Sequence, residues 1–293
     1  MANLKAIRNR IKSVQSTQKI TKAMKMVAAA KVRRAQMKMM AARPFTQAVV
    51  GMLKRAVSEV AEIDLQGLHL LERRPIKTVA LIILSSDRGL CGGYNSVIFR
   101  ESMQRIRQLK DEGKEVKLIL VGLKAAAFFK SIKIEKLKTH TNLPAIPTVE
   151  VARLIAKEAA DFYIEKHVDS VELIGSDFIN LLRSEVLIQQ VLPIALPVKE
   201  NTSLPSAETL FEPSIVEVMR LELLPKYMEN VIYQGLLEAS ASELAARMNA
   251  MTNASNNARD LISSLTLEYN KARQAGITQE LLEIVGGAEA LKA

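Results

Sequence analysis

The 293 residues include a single cysteine, Cys91. No intrachain disulfide can therefore form, and zinc sites built on several cysteines are excluded. The three histidines, His69, His140 and His167, lie in separate segments without metal-ligand spacing. Tryptophan is absent and aromatics reach only 4%, whereas methionine numbers 12. That balance disfavours a β-sandwich and favours helices packed through flexible aliphatic side chains, alone or with a sheet. No apolar run approaches the roughly 18 residues of a membrane span, the longest being residues 79–84 and 118–123. Any membrane association is then peripheral. Proline is missing before Pro44 and after Pro225, so both ends are free to run as long helices.

Acidic residues are also missing where basic ones gather. Residues 1–58 carry fourteen Lys and Arg and no Asp or Glu, while the remaining 27 basic residues face all 31 acidic ones. The net charge of +10 therefore belongs to one element. Three readings fit such an element: a transit presequence, a phosphate-neutralising nucleic-acid surface, or a basic helix seated in a protein partner with an acidic or apolar lining. Presequences are short, and this pattern runs past Arg43 with apolar positions spaced for packing.

Leu4, Ile7, Ile11 and Val14 step by three and four, and Thr17, Ile20, Met24 and Val27 resume the stripe after a three-residue offset, which predicts a helix with a stammer. About 40 residues before Pro44 give a helix near 60 Å, with a further helical stretch from Phe45 towards Val60. At the other end Leu237, Ala241, Leu244, Met248, Met251, Ser255, Ala258, Ile262, Leu265, Tyr269, Ala272 and Gly276 alternate steps of four and three. That is a heptad seam, and its many small residues predict a close but moderately tight partner. Pro225 marks the start of this helix or a kink in it. The two terminal helices are expected to wind around each other, antiparallel.

Between them the pattern changes. Residues 78–85 form a β-rich apolar run followed by Asp87-Arg88-Gly89-Leu90-Cys91-Gly92-Gly93 and a helical stretch through Lys110. Residues 116–121 and 168–174 read as two more buried strands, with helices from Ala125 to Lys130 and from Val149 to Lys166. Buried strands alternating with helices predict a small, mostly parallel α/β domain. The expected organisation is an N-terminal coiled-coil helix at 1–60, a Rossmann-like α/β domain at 75–197, a proline-punctuated connector, and a C-terminal coiled-coil helix at 213–293.

The glycine-rich turn is where a nucleotide enzyme would have its phosphate site. It lacks the G-x-G-x-x-G order, no Lys-Ser or Lys-Thr pair follows, and Asp111 and Glu112 fall at a helix end. Glycines permitting a tight strand-to-helix turn suffice. Cys91 has no base in its motif context, and no carboxylate pair has an acid/base setting.

Four separated blocks then carry a resemblance: Ile7-Arg8 through Gln18-Lys19-Ile20-Thr21-Lys22-Ala23-Met24 with Met26-Val27-Ala28-Ala29; Ser86-Asp87-Arg88-Gly89-Leu90-Cys91-Gly92; Tyr269-Asn270-Lys271-Ala272-Arg273-Gln274; and Ile277-Thr278-Gln279-Glu280-Leu281. Over essentially its whole length the chain resembles the γ subunit of the F-type rotary ATP synthase. The resemblance implies a long antiparallel coiled coil plus a Rossmann-like α/β domain. It also implies a central-stalk shaft, one copy per complex, that couples proton-driven rotation to ATP synthesis and hydrolysis on three β subunits. Its implied partners are the α3β3 ring, ε and the membrane c ring, with no nucleic acid. The chain itself would be non-catalytic, without cofactor or metal, and peripheral on the cytoplasmic face of a bacterial energy-coupling membrane.

Residue by residue, the resemblance assigns contacts to the β subunits to Arg273 and Gln274, whose guanidinium fork and amide suit carboxylate and hydroxyl partners. It places coupling positions at Met24, where an added positive charge uncouples rotation from catalysis, and at Arg247. Lys19, Lys22 and Lys25 would attract acidic β loops. Phe211 and Glu212 stand where relatives contact the membrane ring, with Phe replacing a Tyr found in some of them. The cysteine pair of redox-regulated photosynthetic members is absent, since Cys91 stands alone.

Overall fold

A computed structural model describes residues 4–59, 67–195, 212 and 214–290. Helix α1 spans Leu4–Glu59. After a 3-10 turn at His69–Leu71, β1 (Thr78–Leu84), α2 (Tyr94–Asp111), β2 (Glu115–Val121), α3 (Leu123–Phe129), β3 (Glu135–His140), α4 (Val149–Ile164), β4 (Ser170–Phe178) and β5 (Ser184–Leu192) build the middle. Helix α5 (Ile215–Val218) and a π turn (Met219–Leu223) lead into α6 (Leu224–Ala290). The class is α/β, with long N- and C-terminal helices. The chain divides into two compact units, Met1–Ala28 with Arg247–Ala293, and Ala29–Ala246.

In the larger unit the sheet has the order β3-β2-β1-β4-β5. The first four strands are parallel to their neighbours, and β5 runs antiparallel to β4. The period-2 alternation of strands sorts side chains onto two faces. Val79, Leu81, Ile83, Leu118 and Leu120 pack against Tyr94, Ile98, Phe99 and Ile106 of α2 and Phe129 of α3. Ala80, Ile82, Leu84, Ile119, Val121 and Leu173 pack against Ala152, Ile155 and Tyr163 of α4, Leu53 and Ala56 of α1, and Ile232 and Leu236 of α6. Both faces are covered, which explains why β1 reads as a continuous apolar run. Each fully buried Ile or Leu contributes about 1.5–3 kcal/mol.

The structure refines the sequence reading at three points. First, α1 does not break at Pro44. Proline costs an interior helix one hydrogen bond and about 3 kcal/mol, and burial of Val49, Leu53, Ala56 and Val57 beyond it offsets the loss. Second, of the two alternatives open at Pro225, a helix start or a kink, helix lies on both sides of it, within the expected 213–293 segment. The ring would crowd the carbonyl of Leu221, and the chain widens into the π turn just there, with the amide of Leu224 donating to the carbonyl of Met219. Third, β3 and β5 were not foreseen. β3 is short, charged and at an edge, whereas β5 lacks a regular alternation because most of its side chains are exposed. The connector at 198–213 and Phe211 lie outside the described residues, apart from exposed Glu212.

Candidate functional site

The smaller unit is a pair of helix segments. The α6 seam reads as its heptads predict, because every position from Met248 to Gly276 at alternating steps of three and four is buried or half-buried. On α1 the expected stammer is absent. The inward positions are Leu4, Ile7, Ile11, Val14, Gln18, Thr21, Lys25 and Ala28, an unbroken 3-4 register in which Gln18, Thr21 and Ala28 take the places that the apolar pattern had assigned to Thr17, Ile20 and Val27, and Lys25 joins half-buried Met24. Keeping the register preserves the helix pitch against its partner. Its consequence is that Ile20 and Val27 stand 58% and 56% exposed, with Met26 beside them.

Two contacts fix the antiparallel alignment. The Arg8 guanidinium donates from Nη2 to the Tyr269 hydroxyl at 2.6 Å and lies 5.5 Å from its ring centroid. Gln18 donates from Nε2 to the Ser255 carbonyl at 3.5 Å. Residue reasoning on the helices missed the Arg8–Tyr269 joint, although both residues fall inside the blocks that carry the resemblance.

This alignment distributes the sequence-predicted site residues over two levels. Continuing from Gln18 opposite Ser255, Met24 lies level with residue 249, within one turn of Arg247; both are half-buried. Lys19 and Lys22 point to solvent near that level, and Lys25 is half-buried on the seam. Arg273 and Gln274 are exposed, roughly 36 Å further along α6 at 1.5 Å per residue. The structure does not bring the two groups together. Beyond Gly276 every described side chain up to Gly287 is exposed, including Ile277, Leu281, Leu282, Ile284 and Val285. The pair thus presents apolar groups on both helices and an acid-free basic stretch on α1, a surface suited to an enclosing partner rather than to chemistry.

In the larger unit the loops at the carboxyl ends of the strands, where α/β folds bind ligands, are tied together by internal hydrogen bonds. The Asp87 carboxylate accepts from the amides of Leu123 and Leu143, each at 2.7 Å. Ser85 Oγ donates to the Val121 carbonyl and accepts from the Ala125 amide. Asn95 donates to Ser86 Oγ at 2.8 Å and to the sulfur of buried Cys91 at 3.2 Å. Gly122, at φ +99°, approaches so closely that a Cβ there would sit 2.4 Å from the Ser85 carbonyl oxygen. The turn is held as a structural clasp by these internal hydrogen bonds.

Two charged pairs brace the same unit. Arg105 grips Glu172 through Nε at 2.8 Å and Nη2 at 2.6 Å. Arg74 bonds Asp169 at 2.7 Å and stacks over Tyr163, 4.4 Å from the ring centroid. Burial pushes the Asp169 carboxyl up, but the amides of Thr78 and Lys77 and the Arg74 guanidinium outweigh it and hold the group below its ordinary value. Desolvation raises Tyr94, whose hydroxyl donates to the Ala239 carbonyl at 3.2 Å; the charges of Glu243 and Cys91 add to the rise. Among the described residues no group of His, Cys, Asp and Glu is placed to hold a metal ion, and no helix is long and apolar enough to cross a membrane.

Comparison with known proteins accounts for the same length of chain. A family profile described as ATP synthase matches residues 3–291. The ATP synthase gamma chain of Rippkaea orientalis is 43% identical, covering 99% of this chain and 100% of its own. That of Thermosynechococcus vestitus is 44% identical over 100% of both. The latter alignment is 317 positions long against 293 residues here, so the relative carries at least 24 residues that this chain lacks. Among solved structures, the central stalk and c ring of the Tetrahymena thermophila mitochondrial ATP synthase include a chain with 28% identity and a TM-score of 0.60, covering 80% of this chain and 99% of that one. A chain of the Euglena gracilis mitochondrial enzyme in rotational state 3 has the same fold, with a TM-score of 0.66 at 19% identity over 98% of this chain and 94% of its own.

Proposed function

The chain belongs to the ATP synthase γ-chain family, and from that premise we propose how it works as the central-stalk shaft. The family role couples rotation of the c ring to synthesis and hydrolysis of ATP at three catalytic β subunits. The α1–α6 pair stands inside the α3β3 ring, and the sheet-bearing unit, with ε, meets the c ring at the membrane. One copy serves each complex, on the cytoplasmic face of a bacterial energy-coupling membrane, and the chain alone turns over no substrate.

The physics of such a shaft is asymmetry. Three chemically identical catalytic subunits surround two helices that differ in charge and in exposed groups, so no two subunits meet the same surface. Each is biased towards a different conformation and nucleotide affinity by the difference in contact free energy between its states. Turning the shaft passes that bias from one site to the next.

The observation that carries this reading is the surface of the paired helices: an uninterrupted seam inside, exposed Ile20, Met26 and Val27 outside, and seven Lys and Arg with no acid on residues 4–28 of α1. Lys19 and Lys22 favour acidic loops of β and steer the encounter more than they tighten it. Arg273 and Gln274 make the upper contact with β by hydrogen bonding. Met24 and Arg247 make the lower coupling level, and Phe211 with Glu212 belongs to the foot.

Reconstitution tests the reading. Matching α and β subunits are assayed for ATP hydrolysis with and without this chain, and the stoichiometry of the purified complex is counted. One copy per three αβ pairs with strongly raised turnover supports it. Folded, matched subunits that form no complex, or ATP hydrolysis by this chain alone, would overturn it.

A further inference from the structure

Tyr269 stands one turn before Arg273 on α6. At a spacing of four residues a helix sets two side chains on one face, roughly 6 Å apart, and tilts the second back over the first. Arg273 therefore has an aromatic ring within reach on its own helix, and guanidinium groups stack readily on tyrosine. In the structure it does not stack there. Arg273 and Gln274 are exposed, and among the described residues their side chains make no hydrogen bond, ion pair or ring contact. Glu268, beside Tyr269 in the chain, pairs with neither Arg8 nor Arg273.

The ring is already taken. Arg8 reaches it from α1, with Nη2 donating to the Tyr269 hydroxyl at 2.6 Å and the guanidinium carbon 5.5 Å from the ring centroid. A cation so placed uses the hydroxyl as acceptor, draws on the ring's attraction for positive charge, and repels a second cation. The seam fixes the backbone on both sides of this joint. Ile7, next to Arg8, is buried, half-buried Leu4 and Ile11 lie one turn to either side, and Leu265, four residues before Tyr269, is buried. Past Tyr269 only Ala272 and Gly276 are half-buried among the described residues, so Arg273 stands where the seam is running out.

We propose that Arg8 is a positioning residue for the upper contact with β. By occupying Tyr269 it denies Arg273 a partner on its own helix, and so keeps that guanidinium unpaired for a carboxylate or hydroxyl of β. This rests on the reading of Arg273 as a β contact and deepens it, by adding a residue of α1 that acts through α6.

ATP hydrolysis by α3β3 assembled with variant chains tests the proposal, with the copy number of each complex checked against the parent. Arg8→Ala vacates the ring. The expected loss of stimulated turnover is about two- to fivefold, the population shift that an exposed cation–π contact can supply. Arg8→Lys keeps a cation at the ring and is expected to hold close to the parent rate. Arg8→Ala combined with Tyr269→Leu removes the competing ring as well, and is expected to recover most of what Arg8→Ala loses. In an Arg273→Ala background, Arg8→Ala is expected to add no further loss. A plain brace between the helices behaves otherwise: the first double variant does not recover, and the second falls below Arg273→Ala alone. Either result overturns the proposal. So does a parent rate or a failure to assemble with Arg8→Ala, or a rate for Arg8→Lys as low as that for Arg8→Ala. A parent chain that gives no stimulation contradicts the rotor reading instead, and full stimulation with Arg273→Ala contradicts the contact of Arg273 with β.

Discussion

The two compact units of this chain bury their apolar groups by opposite means. The sheet-bearing unit closes two layered cores on either side of β1, with side chains such as Ile82, Leu118 and Phe129 removed entirely from water. The helix pair has one narrow seam in which Ala, Ser, Gly, Gln and Thr alternate with Ile, Met and Leu, and it leaves Ile20, Met26, Val27, Leu267 and Leu282 exposed. Burial scales with stabilisation, so the first unit supplies the stability of the free chain and the second depends on what surrounds it. A shaft needs this division. A pair that completed its own core would have nothing to offer three surrounding subunits, and a platform that depended on partners would not hold its shape between them.

Substitutions can break the comparison. The largest effect is expected from Gly122→Val, which combines a positive φ with a Cβ driven into the Ser85 backbone. The free chain should lose its cooperative thermal transition, and a folded variant would show the clasp to be dispensable. Next comes Asp169→Asn, which leaves Arg74 partly buried without its partner and is expected to cost about 3 kcal/mol at neutral pH in chemical denaturation. The folded carboxyl lies below its unfolded value, so its stabilisation is present above about pH 4, the ordinary carboxylate range, and is lost as pH falls through the depressed folded value. Parent and variant should therefore converge in acid, and a constant gap would contradict the assignment.

Leu265→Ala sharpens the contrast, since it removes one of the few fully enclosed seam side chains of the helix pair. The main transition of the free chain should stay in place while amides around Leu265 exchange faster by local opening. An equal loss across the sheet would mean that the units are not independent in stability. In the assembled enzyme, Arg273→Ala is expected to lower ATP hydrolysis severalfold, more than deletion of the residues after Gly286. The reverse order would remove the proposed hydrogen-bonding contact. Met24→Lys should have the smallest effect on hydrolysis itself, leaving assembly intact and lowering proton pumping per ATP in membrane vesicles.

The same contrast governs how much could be read from the chain. Strands β1 and β2 and the core of β4 were legible because burial on both faces writes continuous apolar runs, and the α6 seam because its heptads repeat without interruption. β3 and β5 were not, since an edge strand packs too little to impose a pattern. The α1 register was misread because Ile20 and Val27 are apolar yet exposed, and periodicity alone assigns apolar residues to the inside. Helix continuity through Pro44 was settled by packing from both sides, which no local rule contains. For the site, Arg273, Gln274, Met24 and Arg247 came from resemblance and not from chemistry. The Arg8–Tyr269 joint pairs two positions 261 residues apart, and no local signal connects them.

The central claim is that this chain turns, and rotation tests it most directly. Cys91 is buried, so a cysteine placed at exposed Lys110 can take a bead selectively while α3β3 is fixed to a surface. With ATP, the account predicts unidirectional rotation with three pauses per turn. Steady ATP hydrolysis by the same immobilised complex with a stationary or randomly wandering bead would contradict it.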